Sequence, residues 1–160
     1  TRINNDSSGL FTINRGIIIG VGGHLIFGGT GNTTVTAPSS GTITNQAITG
    51  GGDLTKDGAG TLTLTGPTNY VGATTVNAGT LLVNGTLASG TPSVAVGGSS
   101  ATGTPTLGGT GTINRSVTIA SAGGGAAGTL APGNSTVGTL NVVGNVTVQS
   151  GGKYQWELNY

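Results

Sequence analysis

The sequence has no cysteine and no methionine, a single histidine, a single tryptophan and only 6% charged residues. Each shortage removes a class of function. Without cysteine there is neither a disulfide framework nor a thiolate metal site, which fits an extracellular protein stabilised by hydrogen-bonded strands. A net charge of +1 leaves no basic patch to neutralise phosphates and no acidic array to collect cations, so nucleic acid is not an expected partner. No apolar run approaches the ~18 residues of a membrane span, and no N-terminal stretch resembles a signal peptide. If the protein is exported, Thr1 is a processed end or an artificial boundary. No window carries a helical period.

Glycine is abundant instead, at 34 of 160 residues, beside 5 prolines. That balance approaches low complexity, but Val, Ile, Leu and Phe make up about 23% of the chain, above the level of a disordered sequence. These apolar residues alternate with Thr, Asn and Ser, as in Thr61-Leu62-Thr63-Leu64-Thr65 and Asn145-Val146-Thr147-Val148-Gln149. Alternation of this kind is the two-residue period of half-buried strands.

The segment Gly60-Thr61-Leu62-Thr63-Leu64 returns as Gly79-Thr80-Leu81-Leu82-Val83, an offset of 19 (79 − 60), and Gly-Thr-Leu or Gly-Thr-Ile recurs at Gly111, Gly128 and Gly138. One copy is about one strand-turn unit, too small to bury its own apolar face. Stacking of copies must complete the core. Recurrence of like residues favours parallel, in-register stacking over a hairpin sandwich, with Thr61 near Thr80, Leu62 near Leu81 and Leu64 near Val83. The fold class expected is all-β, a parallel β-solenoid of about eight rungs at ~4.8 Å each.

Strands are expected near 10–13, 17–21, 24–27, 33–36, 42–44, 61–65, 74–77, 80–84, 93–96, 112–114, 116–120, 139–143, 145–149 and 153–158. The inward positions are Leu62, Leu64, Val76, Leu81, Val83, Val94, Val96, Val117, Ile119, Leu140 and Val142. The domain reading is one solenoid over 1–160, with a repeat-like core at 54–149 and a terminal alternating strand at 153–160. The glycine-rich run from Ser121 to Gly128 reads as a loop inserted between rungs.

Two stretches resemble a known family. Leu54-Thr55-Lys56-Asp57-Gly58-Ala59-Gly60-Thr61-Leu62-Thr63-Leu64-Thr65-Gly66, followed by Asn69 to Leu81, is similar to the autotransporter-associated β-strand repeat of bacterial passenger domains and large surface adhesins. Gly128-Thr129-Leu130-Ala131-Pro132-Gly133-Asn134-Ser135, then Gly138 to Val142 and the strand ending Trp156-Glu157-Leu158, resembles the terminal part of such arrays. Residues 1–50 fit by composition alone. The resemblance implies a right-handed parallel β-helix, secretion to the cell surface or beyond, and a role in adhesion, matrix or passenger transport. It brings no catalytic residues.

The chemistry-bearing residues are few. Asp53, Lys56 and Asp57 form the one charge cluster and read as a solvated turn with a weak ion pair. Acid–base cleavage of a glycan would need carboxylates meeting in a groove, and Asp6 and Glu157 are far off in sequence. Gly50-Gly51-Gly52-Asp53 supplies one carboxylate where calcium wants six to eight oxygens. His24 has no second ligand for zinc and no triad partners, and reads as an exposed strand-edge histidine. Gly20-Val21-Gly22-Gly23 and Gly108-Gly109-Thr110-Gly111 lack the Lys-Ser/Thr of a phosphate loop and read as turns. The triplets at Asn32, Asn134 and Asn145 match the glycosylation sequon, as chance allows in a Thr- and Asn-rich chain. No cofactor, metal site or catalytic residue is assigned.

The run Lys153-Tyr154-Gln155-Trp156-Glu157-Leu158-Asn159-Tyr160 puts four apolar side chains on one strand face, suited to packing or to stacking on sugars. No capping segment is visible at either end. Unpaired edges of this kind are expected to meet head to tail, the alternative being that the native chain continues beyond them, and Ile3, Phe11, Ile13, Tyr154, Trp156, Leu158 and Tyr160 are the candidate interface residues. A fibre-forming structural segment leads the functional readings, a passenger adhesin binding glycans or host surfaces follows, and a polysaccharide-degrading enzyme comes last.

Overall fold

The computed structural model describes residues 1–38, 46–90, 92–120, 125–133 and 135–158. Among them there are only strands and turns, arranged as a parallel β-helix with three sheets. The first sheet stacks Arg2–Asn4, His24–Gly28, Asp53–Lys56, Thr74–Val76, Val94–Gly98, Val117–Ile119 and Val146–Val148 in that order. The second stacks Phe11–Ile13, Thr33–Val35, Thr61–Leu64, Thr80–Val83, Thr106–Gly109, Thr129–Pro132 and Lys153–Tyr154. The third holds Ile17–Ile19, Ile48–Gly50, Thr68–Tyr70, Thr86–Leu87, Thr112–Ile113 and Asn141–Val142. The chain visits the sheets in rotation, one strand each per rung. Among the described residues six full rungs and a seventh of two strands result, against the eight or so that the spacing suggested.

Like stacks on like along the middle rungs. In the second sheet Leu62, Leu81, Leu107 and Leu130 form one inward column, with Phe11 and Thr33 below it and Tyr154 above. Val94, Val117, Val96 and Ile119 continue two columns of the first sheet. Of the expected inward residues, Leu62, Leu64, Val76, Leu81, Val83, Val94, Val96, Val117 and Ile119 are fully buried, and Leu140 and Val142 pack against the core from a partly buried position. Thr61 pairs with Thr80 across the predicted offset of 19 (80 − 61). Other rungs are longer: Leu81 to Leu107 is 26 residues (107 − 81). Surplus residues lie in the turns, so the strand register is preserved while the sequence period drifts.

The turns explain the glycine content. Gly58 and Gly79 occupy stacked turns between the first and second sheets with φ of 82° and 65°, a region that side-chain-bearing residues rarely adopt. A Cβ on Gly79 would also sit 2.4 Å from the carbonyl oxygens of both Gly58 and Gly60. Backbone lies directly on backbone here, so space as well as conformation requires glycine.

Several strands escaped the sequence pattern. Arg2–Asn4, Ile48–Gly50, Asp53–Lys56, Thr68–Tyr70, Thr86–Leu87, Thr106–Gly109 and Thr129–Pro132 all join the ladders. Gly108-Gly109 is therefore the end of a strand rather than a turn. The expected strand at 42–44 lies outside the described residues. In the glycine-rich run, Ala126–Ala127 departs from the parallel rule, pairing antiparallel with Gly98 and Gly97. The terminal strand is shorter than expected, covering Lys153–Tyr154.

Leu81 lies at the centre of the leucine column with no exposed surface. Leu81→Asp places a carboxylate among side chains that offer it no partner, and it is expected to cost at least about 3 kcal/mol in urea unfolding. A change within about 0.5 kcal/mol, the range of ordinary surface substitutions, would contradict this burial.

Candidate functional site

Two kinds of surface stand out, a groove on one flank and the first and last rungs of the stack. The groove has a volume of about 460 Å³ and runs along the outer face of the second sheet, from Leu10 and Asn32 at one end to Gln155 and Glu157 at the other. Thr34, Thr61, Thr63, Thr80 and Thr106 line it because outward positions alternate with the buried leucines of the same strands. Of these five, only the Thr106 hydroxyl has a partner within the protein among the described residues, donating to Thr104 O at 3.3 Å. The floor drops at Gly108, where a Cβ would lie 2.5 Å from Ala131 O. A wall rises where the chain folds back at Gly133, whose N–H donates to Gly109 O at 2.8 Å while Gly109 N–H donates to Gly133 O at 2.6 Å.

The charge cluster differs from the sequence reading. Asp57 pairs with Arg2, Oδ2 to Nη1 at 2.9 Å, and Asp57 Oδ1 accepts from Gly58 N–H at 2.9 Å. The Arg2 hydrogen bond holds the Asp57 carboxyl below its ordinary range. Lys56 is not part of a solvated turn. It occupies an inward position between Phe27 and Val76, is 3% exposed, and donates from Nζ to the carbonyls of Asp57, Gly58 and Ala78 at 3.1, 2.7 and 3.3 Å. Burial pushes its ammonium down to about 8, against the raising effect of Asp57.

Arg115 is a second buried cation, and nothing in the sequence pattern singled it out. Its guanidinium donates to the carbonyls of Ala88, Gly72 and Tyr70, each at 2.9 Å, and lies 5.2 Å from the Tyr70 ring centre. Burial lowers its pKa. Tyr70 is fully buried with its hydroxyl 2.7 Å from Thr74 Oγ1, and desolvation pushes the phenol up to about 12. Both cations satisfy turn carbonyls, so their role is structural.

His24 is exposed at the start of its strand, with Nε2 3.2 Å from Asp53 Oδ2, and Asp53 Oδ1 accepts from Ala73 N–H at 2.7 Å. It stands between two strands of the first sheet rather than at an edge. No group of three or more His, Cys, Asp or Glu converges among the described residues, and Glu157 is the carboxylate that borders the groove.

The candidate interface residues separate to the two ends. Ile3, Phe11 and Ile13 sit on the first rung, in register with Phe27, Thr33 and Val35. Phe11 is half exposed, while Ile3 and Ile13 pack partly against the core. Tyr154 stands over Leu130 on the last rung and is 57% exposed, and Trp156 and Leu158, beyond the strand, are 64% and 58% exposed. Tyr160 lies outside the described residues.

This architecture defines a stretch of parallel β-helix, and residues 54–83 match the passenger-associated-transport-repeat. The chain therefore carries an autotransporter-associated repeat over that segment. The matched residues form one complete rung plus the first two strands of the next. Over 84 residues the chain is 37% identical to the "Adhesin BmaC autotransporter" of Brucella suis biovar 1 (strain 1330), covering 51% of this chain and 2% of that protein. No solved structure matches the chain.

The Lys56 site generates a pH signature. Its folded pKa of about 8 lies below the unfolded value near 10.5, so the unfolded chain binds more protons between these limits and stability rises with pH across that window. Urea midpoints measured from pH 7.5 to 10.5 are expected to show this rise relative to Lys56→Met. Parallel curves for the two proteins would mean that Lys56 is solvated.

Proposed function

We propose that the chain is a non-catalytic structural segment of a bacterial cell-surface or extracellular protein, a length of passenger β-helix that builds fibres by end-to-end stacking. The observation that carries this reading is the contrast between middle and end rungs. Columns that are fully buried at Leu62, Leu81, Val96 and Ile119 finish in Phe11, Val148 and Tyr154, which are about half exposed. Another rung laid on either end covers them and pairs the free backbone groups of the terminal strands. A first rung meeting a last rung is a heterologous contact, which propagates rather than closes. The passenger repeat at 54–83 and the similarity to an autotransporter adhesin support an extracellular location.

The reading as non-catalytic draws on the groove chemistry, where one carboxylate borders threonine hydroxyls without a second acid–base group among the described residues. A second reading, an adhesin binding glycans or host surfaces, draws on the same groove, whose hydroxyls face solvent.

Stacking is tested by sedimentation of the isolated chain together with acrylamide quenching of Trp156. Concentration-dependent linear oligomers in which Trp156 becomes protected are expected. A monomer at millimolar concentration with a fully quenchable Trp156 would remove self-stacking from the account.

A further inference from the structure

The outer groove of the second sheet has the geometry and chemistry of a site for a linear polymer. From it we infer that the groove binds a neutral polysaccharide strand lying across the rungs, parallel to the helix axis. The inference rests on the adhesin reading and gives it a location and a ligand class. Three observations narrow the occupant.

The first is direction. The groove crosses the strands from Asn32 to Gln155 instead of following one of them, so its occupant meets a fresh set of side chains at every rung. Rungs recur at about 4.8 Å, close to the length of one pyranose unit in an extended chain. Thr61, Thr80 and Thr106 form one in-register row and Thr34 and Thr63 a second. Successive sugars therefore meet hydroxyls at similar positions.

The second is hydrogen-bonding character. Among the described residues the Thr34, Thr61, Thr63 and Thr80 hydroxyls have no protein partner, and each can donate and accept. A sugar hydroxyl has the same dual capacity. An extended peptide needs a free strand edge, whereas the backbone groups under the groove are already paired within the sheet on both sides of each middle strand. Leu82 and Ala131 continue the row of Thr34 and Thr63 on later rungs, with Pro132 beside Ala131, and this apolar surface is where the C–H faces of pyranose rings can rest.

The third is charge. Glu157 is the charged residue bordering the groove, and no lysine or arginine lines it. A sulfated or uronate-rich chain would find no counter-charge and one repulsion, so the complement is neutral. The groove also lies on the flank. End-to-end stacking leaves its middle, from Thr34 to Thr106, open.

The test is calorimetric titration of the chain with cellohexaose, xylohexaose, maltohexaose and chitohexaose, using the corresponding monosaccharides as controls. At least one hexasaccharide is expected to bind with an affinity insensitive to salt, while its monosaccharide does not. The double variant Thr63→Val with Thr80→Val should weaken that binding about tenfold, the effect of losing two hydrogen bonds. Thr34→Val with Thr61→Val should do the same. Thr75→Val with Thr118→Val, on the outer face of the first sheet, should leave it unchanged. Melting temperature read on every variant separates lost contacts from lost fold. Failure of all four hexasaccharides to bind, equal weakening by groove and first-sheet variants, or salt-dependent binding of heparin in their place would overturn the inference. None of these outcomes bears on stacking, which is read from oligomeric state and Trp156 quenching.

Discussion

Parallel hydrogen bonding between successive rungs places each strand residue directly above its counterpart one turn earlier, at about 4.8 Å, and most of the composition follows from that constraint. Inward columns such as Leu62, Leu81, Leu107 and Leu130 are apolar along most of their length, because a mismatch is felt by the rung above and the rung below. Outward columns face the opposite restriction, since like charges stacked at this spacing repel. Threonine meets both demands, being β-branched, polar and uncharged. The 6% charge is thus a consequence of stacking as much as of function.

The two buried cations show how the stack accommodates exceptions. Lys56 enters an inward column between Phe27 and Val76, and its ammonium reaches three carbonyls at the turn instead of a counter-ion. Arg115 does the same at another corner, collecting carbonyls from Tyr70, Gly72 and Ala88. The hydrogen bonds of Arg115 join backbone from different rungs and those of Lys56 span two neighbouring turns, so each cation cross-links levels that the ladder joins only through neighbouring strands. Removing either takes a donor from three carbonyls.

Sequence alone revealed the middle of the solenoid well because the 19-residue rung there carries its shortest turns, and alternation at Thr61 to Leu64 and Thr80 to Val83 is undisturbed. It failed where residue type and position conflict. Thr106–Gly109 and Thr129–Pro132 contain the glycine and proline that ordinarily mark turns, yet the register of the stack carries them as strands. Asp53–Lys56 was hidden by its charges, and the burial of Lys56 depends on turn carbonyls whose direction no pattern reports. Of the candidate interface, the end positions of Phe11 and Tyr154 were legible from alternation, whereas the threonine groove required the three-dimensional stacking of separate rungs and the fold-back at Gly133.

The central claim is in-register parallel stacking, and the cysteine-free background allows it to be tested by cross-linking. Thr55 and Thr75 face outward on the first sheet and are direct partners, while Thr118 lies on the same column two rungs beyond Thr75. Oxidation of the double variant Thr55→Cys with Thr75→Cys should give an intramolecular disulfide in the folded chain, since parallel neighbours fall within the Cα separation a disulfide needs. Thr55→Cys with Thr118→Cys should give none. Equal cross-linking of both pairs, or of neither, would contradict the stacked register.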